Sequence, residues 1–99
     1  MEKRTPHCKL SQIHRLVGAG AVRATFSALG GAANMGCGTL ADMCSVVLAL
    51  RPSDFYKSMT THADHTIWQD VDRPRTPWGK VYLKLTVVND VLIVYFKEL

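Results

Sequence analysis

Ninety-nine residues suffice for one domain with a single modest core and are too few for two. With 47% hydrophobic and 20% charged residues the chain reads as globular and not as a disordered chain, and no apolar run approaches the roughly 20 residues of a membrane-spanning helix. The formal charge of +4 leans toward an anionic partner. Its distribution is uneven: residues 1–50 carry five Lys and Arg against two acids, and residues 51–99 carry seven against six. The opening Met-Glu-Lys-Arg-Thr-Pro has no apolar stretch of the signal-peptide kind, so a cytoplasmic protein is expected. Cys8, Cys37 and Cys44 are an odd number without a Cys-x-x-Cys spacing, and are read as reduced thiols, with Cys44 in the core.

In chain order, Thr5-Pro6 predicts a helix opening, with threonine as the N-cap and proline at the first helical position. Leu10, Ile13 and Val17 follow at helical spacing, and Gly18 and Gly20 end the segment. Gly18-Ala-Gly20 follows a helix and lacks a third glycine, so it is not a dinucleotide loop. Val22-Arg23 reads as a short extended link. Thr25 to Met35 predicts a second helix with Phe26, Leu29 and Ala33 inward, weakened by Gly30-Gly31. After the break at Gly36-Cys37-Gly38, Thr39 caps a third helix whose Leu40, Met43, Cys44, Val47 and Leu48 form an apolar stripe, and Pro52 lies beyond its end.

Phe55–Thr61 and Thr66–Val71 predict two strands; a three-residue loop at Ala63-Asp64-His65 would set Met59 opposite Gln69 and Lys57 opposite Val71. A loop with Pro74, Pro77 and Gly79 carries Arg73 and Arg75. Val81–Val88 and Val91–Leu99 then alternate around Asn89-Asp90, the signature of a β-hairpin. A two-residue turn pairs Val88 with Val91, Thr86 with Ile93, Lys84 with Tyr95 and Tyr82 with Lys97. One face, Val81, Leu83, Leu85, Val87, Leu92, Val94 and Phe96, is then core, and the other ends in Tyr82, Lys84, Tyr95 and Lys97. Three helices followed by four strands predict an α+β domain over residues 1–99, an antiparallel β-sheet with the N-terminal helices packed on one face.

His62-x-Asp64-His65 holds metal-capable residues, but a tight turn does not align them, and no metal site is expected. The remaining polar set is Lys57, Gln69, Tyr82 and Lys97, with Arg73 and Arg75 on a neighbouring loop. The four can share one sheet face if the loop at Ala63-Asp64-His65 is three residues long, whereas a two-residue loop would separate Gln69. Cleavage of RNA through the ribose 2′-OH needs a proton acceptor, cations for the phosphorane and a proton donor for the leaving 5′-oxygen. Lys and Tyr serve if neighbouring cations pull their pKa values toward neutrality. A basic face could equally bind RNA or protein without catalysis.

The stretches Ser53-Asp-Phe-Tyr-Lys-Ser-Met-Thr-Thr61, Asp64-His-Thr-Ile-Trp-Gln-Asp-Val71, Arg73-Pro-Arg75 and the closing hairpin closely resemble the MqsR (motility quorum-sensing regulator) toxin family. Met1–His7, Val22-Arg23 and Ser27–Leu29 match as well, and the resemblance is weakest from Gly30 to Asp42. It implies a RelE-like toxin fold and a ribosome-independent mRNA endoribonuclease of a type II toxin–antitoxin system, cutting at short GC-containing sites such as GCU without metal or other cofactor. It also implies a zinc-containing helix-turn-helix antitoxin as partner, with the toxin monomeric when free and hetero-oligomeric when bound. The family's active-site residues map onto Lys57, Gln69, Tyr82 and Lys97, with Met59, Arg73, Arg75 and Lys84 as RNA contacts. Two positions depart from the pattern: Asp72 stands for a tyrosine, and Tyr95 for a small hydroxyl residue. Asp72 is expected to weaken phosphate attraction beside Gln69 and Arg73.

Overall fold

The computed structural model describes all 99 residues. They form β1 (Glu2–Lys3), α1 (Leu10–Gly18), β2 (Val22–Ala24), α2 (Phe26–Asn34), α3 (Leu40–Leu48), a 3-10 turn (Pro52–Asp54), β3 (Phe55–Thr60), β4 (Trp68–Asp72), β5 (Arg75–Thr76), β6 (Gly79–Val87) and β7 (Val91–Glu98). The sheet runs β1-β3-β4-β6-β7-β2, with β5 paired to β6 off this path. Every pairing is antiparallel except β2 with β7. This is the expected α+β arrangement, compatible with a RelE-like toxin, but three short strands join the four that alternation predicts. Two or three residues give too little alternation to reveal a strand. No helix is long and apolar enough to cross a membrane.

The chain between β1 and α1 does not start a helix at Thr5-Pro6. The helix begins at Leu10, with Lys9 as its N-cap. The backbone N–H groups of His7 and Cys8 donate instead to the Asp70 carboxylate, both at 3.0 Å, and the Thr5 carbonyl accepts from Ser58 Oγ at 3.1 Å. A buried carboxylate that takes two amide bonds outcompetes a first helical turn, whose N–H groups have no partner within the helix. The threonine caps of the other helices form as expected: Thr25 accepts from Ala28 N and Thr39 from Asp42 N.

α1 buries Ile13 and Val17 as its spacing requires. α2 does not bury its large residues. Phe26 is 94% exposed and Leu29 is also outward, while Ala28 and Ala32 are fully buried. Small residues let the helix backbone lie directly on β7. A Cβ at Gly31 would overlap the Phe96 carbonyl oxygen, whereas one at Gly30 would meet nothing. The two neighbouring glycines therefore predict opposite outcomes in a denaturation series. Gly30→Ala gains roughly 0.5–1 kcal/mol from helix propensity. Gly31→Ala loses about 1–3 kcal/mol or more, because α2 must lift from the sheet. In α3, Met43, Val46 and Val47 are buried, and Leu40 and Leu48, read as inward from the stripe, are more than a third exposed. Cys37, not Cys44, is the buried thiol, and all three cysteines are free.

The β6–β7 hairpin keeps the predicted pairs at its open end, Tyr82 with Lys97 and Lys84 with Tyr95. Nearer the turn the register shifts by one: Leu85 faces Ile93, Thr86 faces Leu92 and Val87 faces Val91. A bulge at Val94 absorbs the extra residue, and the turn holds Val88, Asn89 and Asp90. Val91 and Ile93 thereby replace Leu92 and Val94 in the core. Parallel pairing with β2 fixes this choice, with Val22, Arg23 and Ala24 in register with Val91, Leu92 and Ile93. Arg23 Nε also donates to Asp90 at 2.6 Å.

Candidate active site

Register alone assembles the open face of the sheet. Lys57 stands opposite Val71 and Met59 opposite Gln69; Val71 stands opposite Lys84, Lys84 opposite Tyr95, and Tyr82 opposite Lys97. Directly opposed residues point to the same side, so these side chains share the face turned away from the helices. The predicted pairings of Lys57 and Met59 hold although the loop between β3 and β4 spans seven residues, because Thr61 N bonds Ile67 O and draws its ends together. Val71 lies in the middle of this face yet has no exposed surface. Lys57 and Lys84 flank it in register, and side chains with such long aliphatic stems can shield it from water.

The cations are spaced by aromatic rings. Lys97 Nζ is 5.9 Å from the Tyr82 ring centroid and 5.7 Å from that of Tyr95, and Lys84 Nζ is 5.1 Å from Tyr95. Tyr95 is 41% exposed and offers a flat surface between two lysines, suited to stacking a base.

The lysines differ in what their surroundings do to them. Lys57 is ion-paired to Glu2, which β1 brings opposite Met59. That bond raises the Lys57 pKa, against a smaller opposing effect of desolvation. Lys84 moves the other way. Partial burial is the main cause, and the charges of Lys57 and Lys97 add to it. Clustered cations therefore act as expected, but on Lys84, the central lysine, and not on Lys57. Replacing Glu2 with Gln frees one cation for phosphate. It is expected to lower KM for RNA and to steepen the dependence of log KM on log salt by about 0.7. A salt titration that gives the same slope for both proteins contradicts this.

Tyr56 lies among the cations, a placement that periodicity does not reveal. A register shift between Phe55 and Lys57 takes it out of simple alternation. Its ring gathers the Arg73 guanidinium at 3.8 Å, Arg4 at 5.4 Å and Lys57 Nζ at 5.4 Å. Arg73 is anchored by its backbone N–H, which donates to Asp54 O at 2.8 Å. Arg75 does not join this cluster. It pairs with Lys80 on the β5–β6 arm and lines a small hollow with Ser45 and Val46 of α3 and Ala49 at its C-cap.

The expectation for Asp72 is corrected by its face. It stands opposite Leu83, on the helix side of the sheet, and so does not oppose phosphate beside Gln69. Burial, then the nearby carboxylates Asp70 and Asp54, push its pKa up to about 7. At His62-x-Asp64-His65 the carboxylate is committed to the turn, with Asp64 Oδ1 accepting from Thr66 N at 2.8 Å and from Thr66 Oγ1 at 2.6 Å. No group of three His, Cys, Asp or Glu side chains is positioned to hold a metal.

The arrangement is thus an open basic face with a half-buried tyrosine, a carboxamide and three lysines, of which the pKa of Lys57 is shifted up and that of Lys84 down. Its relatives agree with that character. The chain is 62% identical over 98 residues to the mRNA interferase toxin MqsR of Escherichia coli (strain K12), with 99% of each chain covered. The family model described as motility quorum-sensing regulator, toxin of MqsA, matches residues 5–98. The chain belongs to the MqsR toxin family.

Proposed function

We propose that this chain is an mRNA endoribonuclease toxin of a type II toxin–antitoxin system. The observation that carries the reading is the convergence of Lys57, Gln69, Tyr82, Lys84 and Lys97 on one open sheet face, in a chain so similar to a protein named as an mRNA interferase. In the reaction, the ribose 2′-oxygen attacks phosphorus and the bond to the 5′-oxygen breaks. The products are a 2′,3′-cyclic phosphate and a free 5′-hydroxyl. Lys57 and Lys97 offset the charge that grows on the phosphorane oxygens. Gln69 orients the ribose or phosphate by hydrogen bonding. Tyr82 transfers a proton at one of the two ribose oxygens, and Lys84, whose pKa burial lowers, supports that transfer. Met59, Arg73 and Tyr95 extend the RNA-binding surface, with Arg75 at its far rim.

The reading includes the finer expectations of the resemblance: ribosome-independent cleavage at GCU-like sites without a metal, action in the cytoplasm, and neutralisation by a zinc-containing helix-turn-helix antitoxin. Expression of the chain alone in a bacterial host is the test. Growth arrest that is relieved by co-expressing the neighbouring gene, and abolished by Tyr82→Phe, is the expected result. Normal growth with abundant folded protein would favour a non-catalytic interaction module.

A further inference from the structure

On the opposite side of the sheet, β4 forms one wall of a cavity of about 710 Å3. The segment from Pro6 to Ser11 and the 3-10 turn with Phe55 supply the other walls. This volume is in the range of small-molecule sites. Leu10, Ile13, Phe55 and Pro52 make its surface largely apolar, and Asp70 and Asp72 are set into it.

The two carboxyl groups are not equivalent. Asp70 is fully employed, accepting from the N–H groups of His7 and Cys8 and from the Ser58 hydroxyl. Asp72 is just as buried, at 6% exposure, and what surface it keeps opens on the cavity, because its oxygens are not among the fully enclosed unpartnered atoms. A carboxyl so largely desolvated, with its remaining surface on the cavity, is better satisfied by a charged donor bound there. The charged and titratable groups around it are Asp70 on its own strand, Asp54 and Arg51 at the 3-10 turn, and His7, Cys8 and Lys9 on the N-terminal segment. The two basic side chains, Lys9 and Arg51, are both exposed, so neither is buried with the carboxyl as its counter-ion. They also disfavour a ligand with several positive charges.

We propose that this cavity binds a small organic monocation, an amidinium or primary ammonium on a flat apolar body, with Asp72 as its counter-ion. The flat body packs against Leu10, Ile13 and Phe55, and the cationic N–H groups bond the Asp72 oxygens. The site is separate from the open face, since neighbouring residues of β4 point to opposite sides: Val71 toward the lysines, Asp70 and Asp72 toward the cavity.

Benzamidine is a suitable probe, with benzamide as its neutral isostere. In amide NMR titrations of the full chain at pH 8, benzamidine is expected to bind with Kd on the order of 1 mM, shifting the Cys8 and Asp72 amides and raising Tm. Benzamide is expected to do neither, and Asp72→Asn should abolish the response while the fold persists. Leu10→Trp, which fills the cavity and leaves Asp72 in place, should abolish it too. No response at tenfold higher benzamidine overturns the proposal, as does an equal response to benzamide. Binding retained by Asp72→Asn would equally overturn it.

Discussion

Tyr82→Phe is expected to lower kcat for RNA cleavage by about 10²–10⁴-fold, the range for removing a group that transfers a proton in the transition state. Stability should stay within about 0.5 kcal/mol, because Tyr82 is only half-buried and its ring, which the variant keeps, is the part beside Lys97. KM should change little, since the stacking and cationic surface remain. Single-turnover kinetics on a short RNA, paired with a denaturation curve, separate these outcomes. A loss confined to KM would recast Tyr82 as a binding residue. Unchanged kcat would remove it from the chemistry and leave the proton transfer to Lys84 or Lys57.

The largest stability effect is expected at Asp72. Its carboxyl titrates near 7 in the folded chain, against an ordinary value of 3.8. A group whose folded pKa is raised contributes stability that is fully present below the unfolded value and is lost as pH rises through the folded one. The chain should therefore lose stability between about pH 4 and pH 7. A shift of about three pKa units corresponds to roughly 4 kcal/mol. Asp72→Asn keeps the shape and removes the titration. It should match the parent near pH 4 and exceed it by up to roughly 4 kcal/mol at pH 8. Urea denaturation at several pH values measures the difference, and two parallel stability curves would show that Asp72 is not the group responsible.

Legibility in the sequence followed the strength of local patterns. Lys57, Met59 and Gln69 were placed correctly by centring the turn on Asp64 and not by alternation, since Ser58, Thr60, Asp70 and Asp72 are buried while Met59 and Val71 share the open face. The stretch Val91-Leu-Ile-Val94 is apolar on both faces. Its alternation holds no register, and the bulge at Val94 was invisible until β2 paired alongside. α2 misled for a related reason. Hydrophobic size suggested Phe26 and Leu29 as the inward face, whereas close approach to β7 selects Ala28, Gly31 and Ala32. At the site, the cationic character was legible, but the partners of each cation were not. The Glu2–Lys57 pair depends on a two-residue strand at the sheet edge, and the Tyr56 cluster on a bulge. Neither has a signature in spacing.

The central claim is that this open basic face cleaves RNA through the ribose 2′-hydroxyl. The most direct measurement is incubation of the purified protein, in EDTA, with a short RNA containing one GCU, beside the same RNA carrying a single 2′-deoxy sugar at the cut position. The account predicts cleavage of the first into a 2′,3′-cyclic phosphate and a 5′-hydroxyl fragment, with the second left intact. An RNA that stays whole at high protein concentration, or cleavage that survives the 2′-deoxy substitution, would contradict it.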